Sequence, residues 1–318
     1  MGGMEFLLSD EDRALREQAG LFARETLPRF LAAPAFPFRA WTEGLRDELR
    51  AAGFTGIRIP ASLGGMERTA LQTALVLEEI GRVSPPLAFF LAFHNGFCAA
   101  HIHRYGTAEQ SNRILPRLAS GENLGSWRPV AVEAHFDSGK WMLRGGPIFE
   151  IGIEGELAVV AAVIQDGAAA ATLKVFFARC AGTSGSVPAE ILGEGSGVGE
   201  ETMKETAALG KTYTAACRLG RAEALLSDAL AAVPEERSEA AEVLMDIEAA
   251  RLRTYRACLL EDAGRAGRGE EAILADRAAE DAVRAATRIA ARRAEGPAFF
   301  AEAAHFIKTS LEGDTDDA

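Results

Sequence analysis

Basic charge is what this sequence has too little of. Its 34 lysines and arginines stand against 46 aspartates and glutamates, a formal charge of −12 over 318 residues. Such a balance repels phosphate backbones and anionic headgroups, which argues against nucleic acid or a membrane surface as the main partner. Cysteine is also scarce. Cys98, Cys180, Cys217 and Cys258 lie too far apart for a CxxC pair or a tight Cys/His ligand set. The expectation is reduced, mostly buried thiols, a cytoplasmic home and no metal site. Apolar runs of about 18–20 residues, the length of a membrane span, are absent. The opening MGGMEFLLSDEDRALR lacks the basic-then-apolar order of a secretory signal. No Ser/His/Asp or Cys/His arrangement stands out. GEGSGVG at 193–199 lacks the Lys-Ser/Thr of a phosphate loop and reads as an interdomain turn. His101 and His103 stand two apart on a helical stretch and so point to different faces.

What is present is material for a large core, with 48% hydrophobic and 25% charged residues. Ser9 followed by acidic residues caps a first helix, and a second runs from near Trp41 to Gly53. Residues 69–83 and 87–104 read as helices, and Thr107 to Gln110 caps another. The middle differs: WMLRG, PIFEIGI, LAVVAAVI and TLKVFFA are short apolar or alternating runs between turns. Helical periodicity then returns, with Val243, Ile247, Ala250, Thr254 and Ala257 on one stripe and Ala278, Ala282, Ala285, Ala286 and Ile289 on another. The fold class is therefore α+β. A helical domain is expected at 1–123, a small β domain at 124–205 and a helical bundle at 206–318. The long alanine-rich face of 270–294 favours association.

Several stretches resemble the acyl-CoA dehydrogenase family. LSDEDRALREQAGLFARE is similar to its opening helix, GFTGIRIPASLGG to its glycine-proline turn, and LEEIGRVSP to its EEI-containing helix. RYGTAEQSNRILPRLASGENLG resembles its most recognisable N-terminal segment, and DIEAARLRTYRACLLEDAG a helix of its C-terminal bundle. The resemblance implies a helical, β, helical architecture, FAD as cofactor, and α,β-dehydrogenation of an acyl-CoA by a glutamate base and a flavin hydride acceptor.

The departures matter as much. Members of the family usually follow "LASGE…G" with a Thr-Glu-Pro…Gly-Ser-Asp loop that holds the flavin. Here Gly125 runs on through SWRPVAVE. The family's Arg-x-Gln-Phe-Gly segment and Gly-Gly-x-Gly turn are likewise missing. What survives by alignment is Trp127 at the start of the flavin-domain strand, Phe149 at the flavin-flanking aromatic, and Ile151 two positions on. An aromatic in a strand is more often core than cofactor contact. Glu312, in LEGD, aligns with the position of the catalytic base; on a solvated tail it would keep an ordinary basicity and be a poor carbon base. Three readings stay open at this point. The chain is the non-catalytic or half-site subunit of a heteromer, with FAD shared with or held by a full-length acyl-CoA dehydrogenase partner. Alternatively it is a self-sufficient divergent dehydrogenase using Glu312. The third is a flavin-free scaffold or acyl-CoA-binding protein of the same fold.

Overall fold

Helices, then a small sheet, then helices follow one another along the chain. The computed structural model describes residues 8–31, 43–144, 157–164, 172–179, 186–194, 199–232 and 237–291. The first layer holds α1 (Asp10–Leu21), α2 (Pro28–Leu31), α3 (Glu43–Ala51), α4 (Ala70–Val83), α5 (Pro85–Ala92), α6 (Ala100–Tyr105) and α7 (Ala108–Ala119). Ser9, Thr69 and Thr107 each accept a hydrogen bond from the third residue of the helix that follows. The side-chain oxygens of Asp12, Gln72 and Gln110 in turn accept from the backbone N–H of those caps. Helix α4 has a further cap from far along the chain. The Asp262 carboxylate accepts from the Ala70 and Leu71 amides at 2.6 and 3.2 Å, adding a negative charge where the helix dipole is positive.

The helical stretch expected at 87–104 is interrupted. Between α5 and α6 the chain widens into a π-helical segment, Phe93–Ala99, which turns His94 and Asn95 into the core. An apolar periodicity cannot announce such a segment, because the cause is tertiary: buried polar partners and the Tyr213 ring pressed against Gly96.

Five strands close a barrel in the order β1-β2-β5-β4-β3. They are β1 (Gly125–Asp137), β2 (Lys140–Arg144), β3 (Leu157–Ile164), β4 (Thr172–Arg179) and β5 (Val187–Ile191). Side chains alternate between two destinations. Ala158, Val160, Ala162, Phe176 and Ala178 share one cluster with Val132, Leu143 and Val187. Leu157, Val159, Val175 and Phe177 pack instead with Ile102, Leu115 and Leu118 of the helical layer. β1 and β3 run parallel, with a bulge: Arg128 pairs with Val160 and Val132 with Ala162, so four steps on β1 pass two on β3. An even excess preserves the alternation, which keeps Trp127 on the helical side and Val132 on the other.

The bundle consists of α8 (Glu200–Ala232), α9 (Arg237–Asp262) and α10 (Arg268–Ala291). Helix α8 starts at Glu200, where the Thr202 hydroxyl donates to the Gly199 carbonyl at 2.6 Å and ties down the first turn. The stripe Val243, Ile247, Ala250, Thr254 and Ala257 is buried, as are Ala282, Ala285, Ala286 and Ile289.

Two devices clamp the bundle to the first layer. At Gly220 the backbones of α8 and α4 touch: a Cβ there would lie 2.0 Å from the Glu78 carbonyl oxygen. Beside it is a buried ionic cluster. The Glu78 side chain is fully buried and accepts from Arg251 Nε at 2.9 Å and the Tyr255 hydroxyl at 3.0 Å. Arg16 and Arg82 stand 3.9 and 3.8 Å away. Burial pushes the Glu78 carboxyl upward, but Arg251, Arg16 and Arg82 outweigh it and hold the group below the usual carboxylate range. Arg251 also reaches Glu223 at 2.5 Å, and Glu223 in turn takes Arg82 at 2.7 Å.

Candidate functional site

The place to look for chemistry is where the barrel meets the π-helical segment, because the sequence put Trp127 there. The Trp127 ring lies 5.7 Å from Phe97 and 5.1 Å from His101. Phe93 stacks on the far side of Phe97 at 5.0 Å, and Tyr105 lies 5.1 Å from His101. Trp127 is 4% exposed. Helix α8 seals the stack, since a Cβ on Gly210 would fall 1.7 Å from the Phe97 ring. The Tyr105 hydroxyl donates to Glu205 at 2.5 Å, and burial together with that carboxylate pushes the phenol up to about 12.

Two buried histidines in this region behave differently. His94 is satisfied on both nitrogens: the Gly125 amide donates to Nδ1 at 2.8 Å, and Nε2 lies 2.7 Å from the Thr55 carbonyl. The amide requires Nδ1 as acceptor, so the proton sits on Nε2 and the ring is neutral. The Thr55 hydroxyl donates to the Ala119 carbonyl at 2.7 Å, and Asn95 Nδ2 to the Phe54 carbonyl at 3.1 Å. This knot fixes the start of β1 against the helical layer. His101 is fully buried too, yet among the described residues neither ring nitrogen has a hydrogen-bond partner. Burial lowers His94 to about 4, and burial with the nearby Arg104 lowers His101 to about 3.

A contrast in stability is expected from these two rings. His94→Phe strands the Gly125 amide and the Thr55 carbonyl and should cost about 1–3 kcal/mol, whereas His101→Phe removes two unpaired polar atoms and should be neutral or stabilise by about 1 kcal/mol. Both histidines have folded-state pKa values below the unfolded value of 6.5. The unfolded chain therefore binds more protons as pH falls below about 6.5, and stability declines toward pH 4 at up to about 1.4 kcal/mol per pH unit for each ring. Urea unfolding at pH 7.5, 6 and 5 measures this. A slope for His101→Phe no shallower than that of the unaltered protein would contradict the assignment.

The other site expectations fare unevenly. Phe149, Ile151 and Glu312 lie outside the described residues. Cys98, Cys217 and Cys258 are buried, and burial raises Cys217 and Cys258 above the usual thiol range. Among the described residues no His/Cys/Asp/Glu group could hold a metal ion, and no helix is long and apolar enough to cross a membrane. The His94 and Phe97 contributions were missed in the sequence. The available signal was FHNGFCAAH, in which histidines seven apart interrupt an apolar helix.

Residues 9–122 match the model of the acyl-CoA dehydrogenase N-terminal domain. The first third of the chain is thus similar in sequence to an acyl-CoA dehydrogenase N-terminal domain, and the described residues share the acyl-CoA dehydrogenase fold. An L-prolyl-[peptidyl-carrier protein] dehydrogenase of Pseudomonas fluorescens is 38% identical over 98 residues, 30% of this chain and 26% of that protein. Butyryl-CoA dehydrogenase of Megasphaera elsdenii shares the fold with a TM-score of 0.77 at 23% identity, over 96% of this chain and 95% of that one. The FAD complex of PigA gives a TM-score of 0.72 at 18% identity, over 90% and 87%. The chain spans about a quarter to two fifths of the length of the curated relatives it matches.

Within the acyl-CoA dehydrogenase fold, the described residues at this junction do not fit a flavin. Strand β1 continues from Gly125 to Asp137 with only a bulge where the flavin-holding loop would leave it. The Trp127 ring is covered by Phe97 and His101 rather than open to a planar ligand. Carboxylates near the stack are already committed to other groups. Glu205 holds Tyr105 and lies 3.7 Å from Arg268, and Glu190 is held by Arg113 at 2.6 Å and by Gln110 at 2.9 Å.

Proposed function

We propose that this chain is the non-catalytic or half-site subunit of a heteromeric acyl-CoA dehydrogenase. A full-length partner holds FAD and supplies the base that takes the acyl α-proton. The observation that carries this reading is Trp127: a side chain at the head of the flavin-domain strand is packed out of reach, on a strand without its loop. Preservation of the fold over nearly its whole length supports it, since a chain of this fold retains the shape to pack beside a full-length partner. On this reading the chain contributes packing and shape to the assembly, and its own residues move no proton in the dehydrogenation.

The test is expression of the chain alone and together with a full-length acyl-CoA dehydrogenase encoded beside it. Alone, the chain should be colourless at 450 nm. With its partner it should co-purify, and the complex should bind FAD and dehydrogenate an acyl-CoA. A yellow, stoichiometric flavoprotein from the chain alone would overturn the proposal. Turnover abolished by Glu312→Gln with flavin retained would establish the self-sufficient enzyme instead. No flavin in either preparation would leave the scaffold reading.

A further inference from the structure

His101 holds a place that an apolar side chain would fill at lower cost, since neither buried nitrogen has a hydrogen bond among the described residues. What it does offer is a π ring in contact with two rings that can be oxidised. Trp127 and Tyr105 each lie 5.1 Å from it. The three rings lead from inside to outside. Trp127 is buried, Tyr105 is half-buried, and the Tyr105 hydroxyl donates at 2.5 Å to Glu205, whose side chain is 48% exposed. That distance is typical of a charge-assisted bond to a carboxylate. Burial and the carboxylate raise the phenol to about 12, so Tyr105 is neutral and gives up its proton only when it loses an electron.

The other two tyrosines of the chain are placed differently. Tyr213 is fully buried against Gly96, and Tyr255 is buried on Glu78, a carboxylate already held by Arg251. Of the three, Tyr105 is the one that joins the stack to a carboxylate open to water.

We propose that Trp127, His101 and Tyr105 form a path by which an oxidising equivalent leaves the protein interior, with Glu205 as proton acceptor at its outer end. The oxidant is a small radical that takes one electron from the Trp127 indole and becomes an anion. Tyr105 then gives an electron across His101 to the indole radical cation, and its phenolic proton moves along the hydrogen bond to Glu205. Trp127 is restored, and a neutral phenoxyl radical is left near the surface. A water-soluble reductant such as ascorbate returns the electron, and Glu205 returns the proton. The path thus repairs an indole that is itself closed to such a reductant. It uses no flavin and no partner subunit, so it stands or falls separately from the function proposed above.

The test uses the full chain with Trp41→Phe and Trp141→Phe, which leaves Trp127 as its one tryptophan. A laser flash ionises the indole, dissolved dioxygen removes the ejected electron, and absorption follows the indole and phenoxyl radicals. The indole signal should decay as a delayed phenoxyl signal grows. Adding Tyr105→Phe should abolish that growth and prolong the indole radical severalfold. Glu205→Gln keeps a hydrogen-bond partner but takes no proton, so it should slow the transfer severalfold, as should heavy water. His101→Phe should keep the transfer, and His101→Leu should slow it. Delayed growth that survives Tyr105→Phe overturns the proposal, as does a rate untouched by Glu205→Gln or by His101→Leu. A second measurement needs no tryptophan replacement. Under steady azidyl radicals with ascorbate present, peptide mass spectrometry should find severalfold more oxidised Trp127 in Tyr105→Phe than in the unaltered chain, with oxidation of Trp141 unchanged. Equal oxidation of Trp127 overturns the path, and so does an equal rise at Trp141, which would mark a general loosening.

Discussion

Gly220→Ala should cost on the order of 4 kcal/mol and lower the melting temperature by about 10 °C, with much of the protein insoluble. The added methyl carbon would sit 2.0 Å from the carbonyl oxygen of Glu78. A clash with a side-chain tip can be relieved by a rotamer change, but this one is with backbone. Helices α4 and α8 would have to part, and the well-packed core between them has no slack to absorb the shift. Separation would also stretch the hydrogen bonds to Glu78, whose residue supplies the carbonyl. The control is Gly269→Ala, where the new Cβ meets only Ala208 at 3.5 Å. Gly269 lies in the first turn of α10, and alanine there should be neutral or stabilise by up to about 1 kcal/mol. Thermal unfolding of the two variants side by side decides the matter: similar losses would show that helical glycine as such, rather than close approach, is responsible.

Arg251→Met should cost about 3–5 kcal/mol, because it leaves a fully buried carboxylate without its nearest cation. Arg16 and Arg82 remain within 3.9 Å and keep the loss toward the lower end of that range. The pH dependence distinguishes this mechanism from lost packing. In the unaltered chain the Glu78 pKa is held below its unfolded value. Its contribution is therefore present above about pH 4.3 and is lost as pH falls through the folded value. Without Arg251, burial carries more weight and Glu78 takes up its proton at higher pH. The deficit of the variant relative to the unaltered protein should then shrink between pH 7 and about pH 4.5. The pair Glu78→Gln with Arg251→Met should regain about 1.5–3 kcal/mol over Arg251→Met alone. A deficit independent of pH, or additive costs in the double variant, would mean that the arginine acts through its bulk.

The sequence made the helices legible where the cause was local. Val243, Ile247, Ala250, Thr254 and Ala257 could be read as one buried stripe because a single helix places them on one face. The Thr69 and Thr107 caps were readable because their partners are three residues away. What escaped had distant causes. The EEI motif marked α4, but nothing local shows that Glu78 answers to an arginine 173 residues further on. Closure of the barrel through the parallel β1–β3 pair, and the bulge between Arg128 and Val132, also depend on strands separated along the chain. Trp127 is the instructive case at the candidate site. Its position in the family pattern was visible, and its direction toward Phe97 and His101 was not. Glu78, Arg251, Tyr255 and Asp262 lie in stretches that carry the resemblance, yet what they do is join α4 to α9, a role that depends on no cofactor.

The long reach of the Glu78 cluster has a consequence for how the protein is made. During synthesis α4 emerges from the ribosome well before α9, and at roughly 5–20 residues per second the 173-residue gap between Glu78 and Arg251 lasts on the order of ten seconds or more. Throughout that interval Glu78 lacks the cation that makes its burial tolerable, and the α4 N-terminus lacks the Asp262 cap. The inner face of α4 therefore stays uncovered until the last third of the chain, with most of α8 and all of α9, has been made.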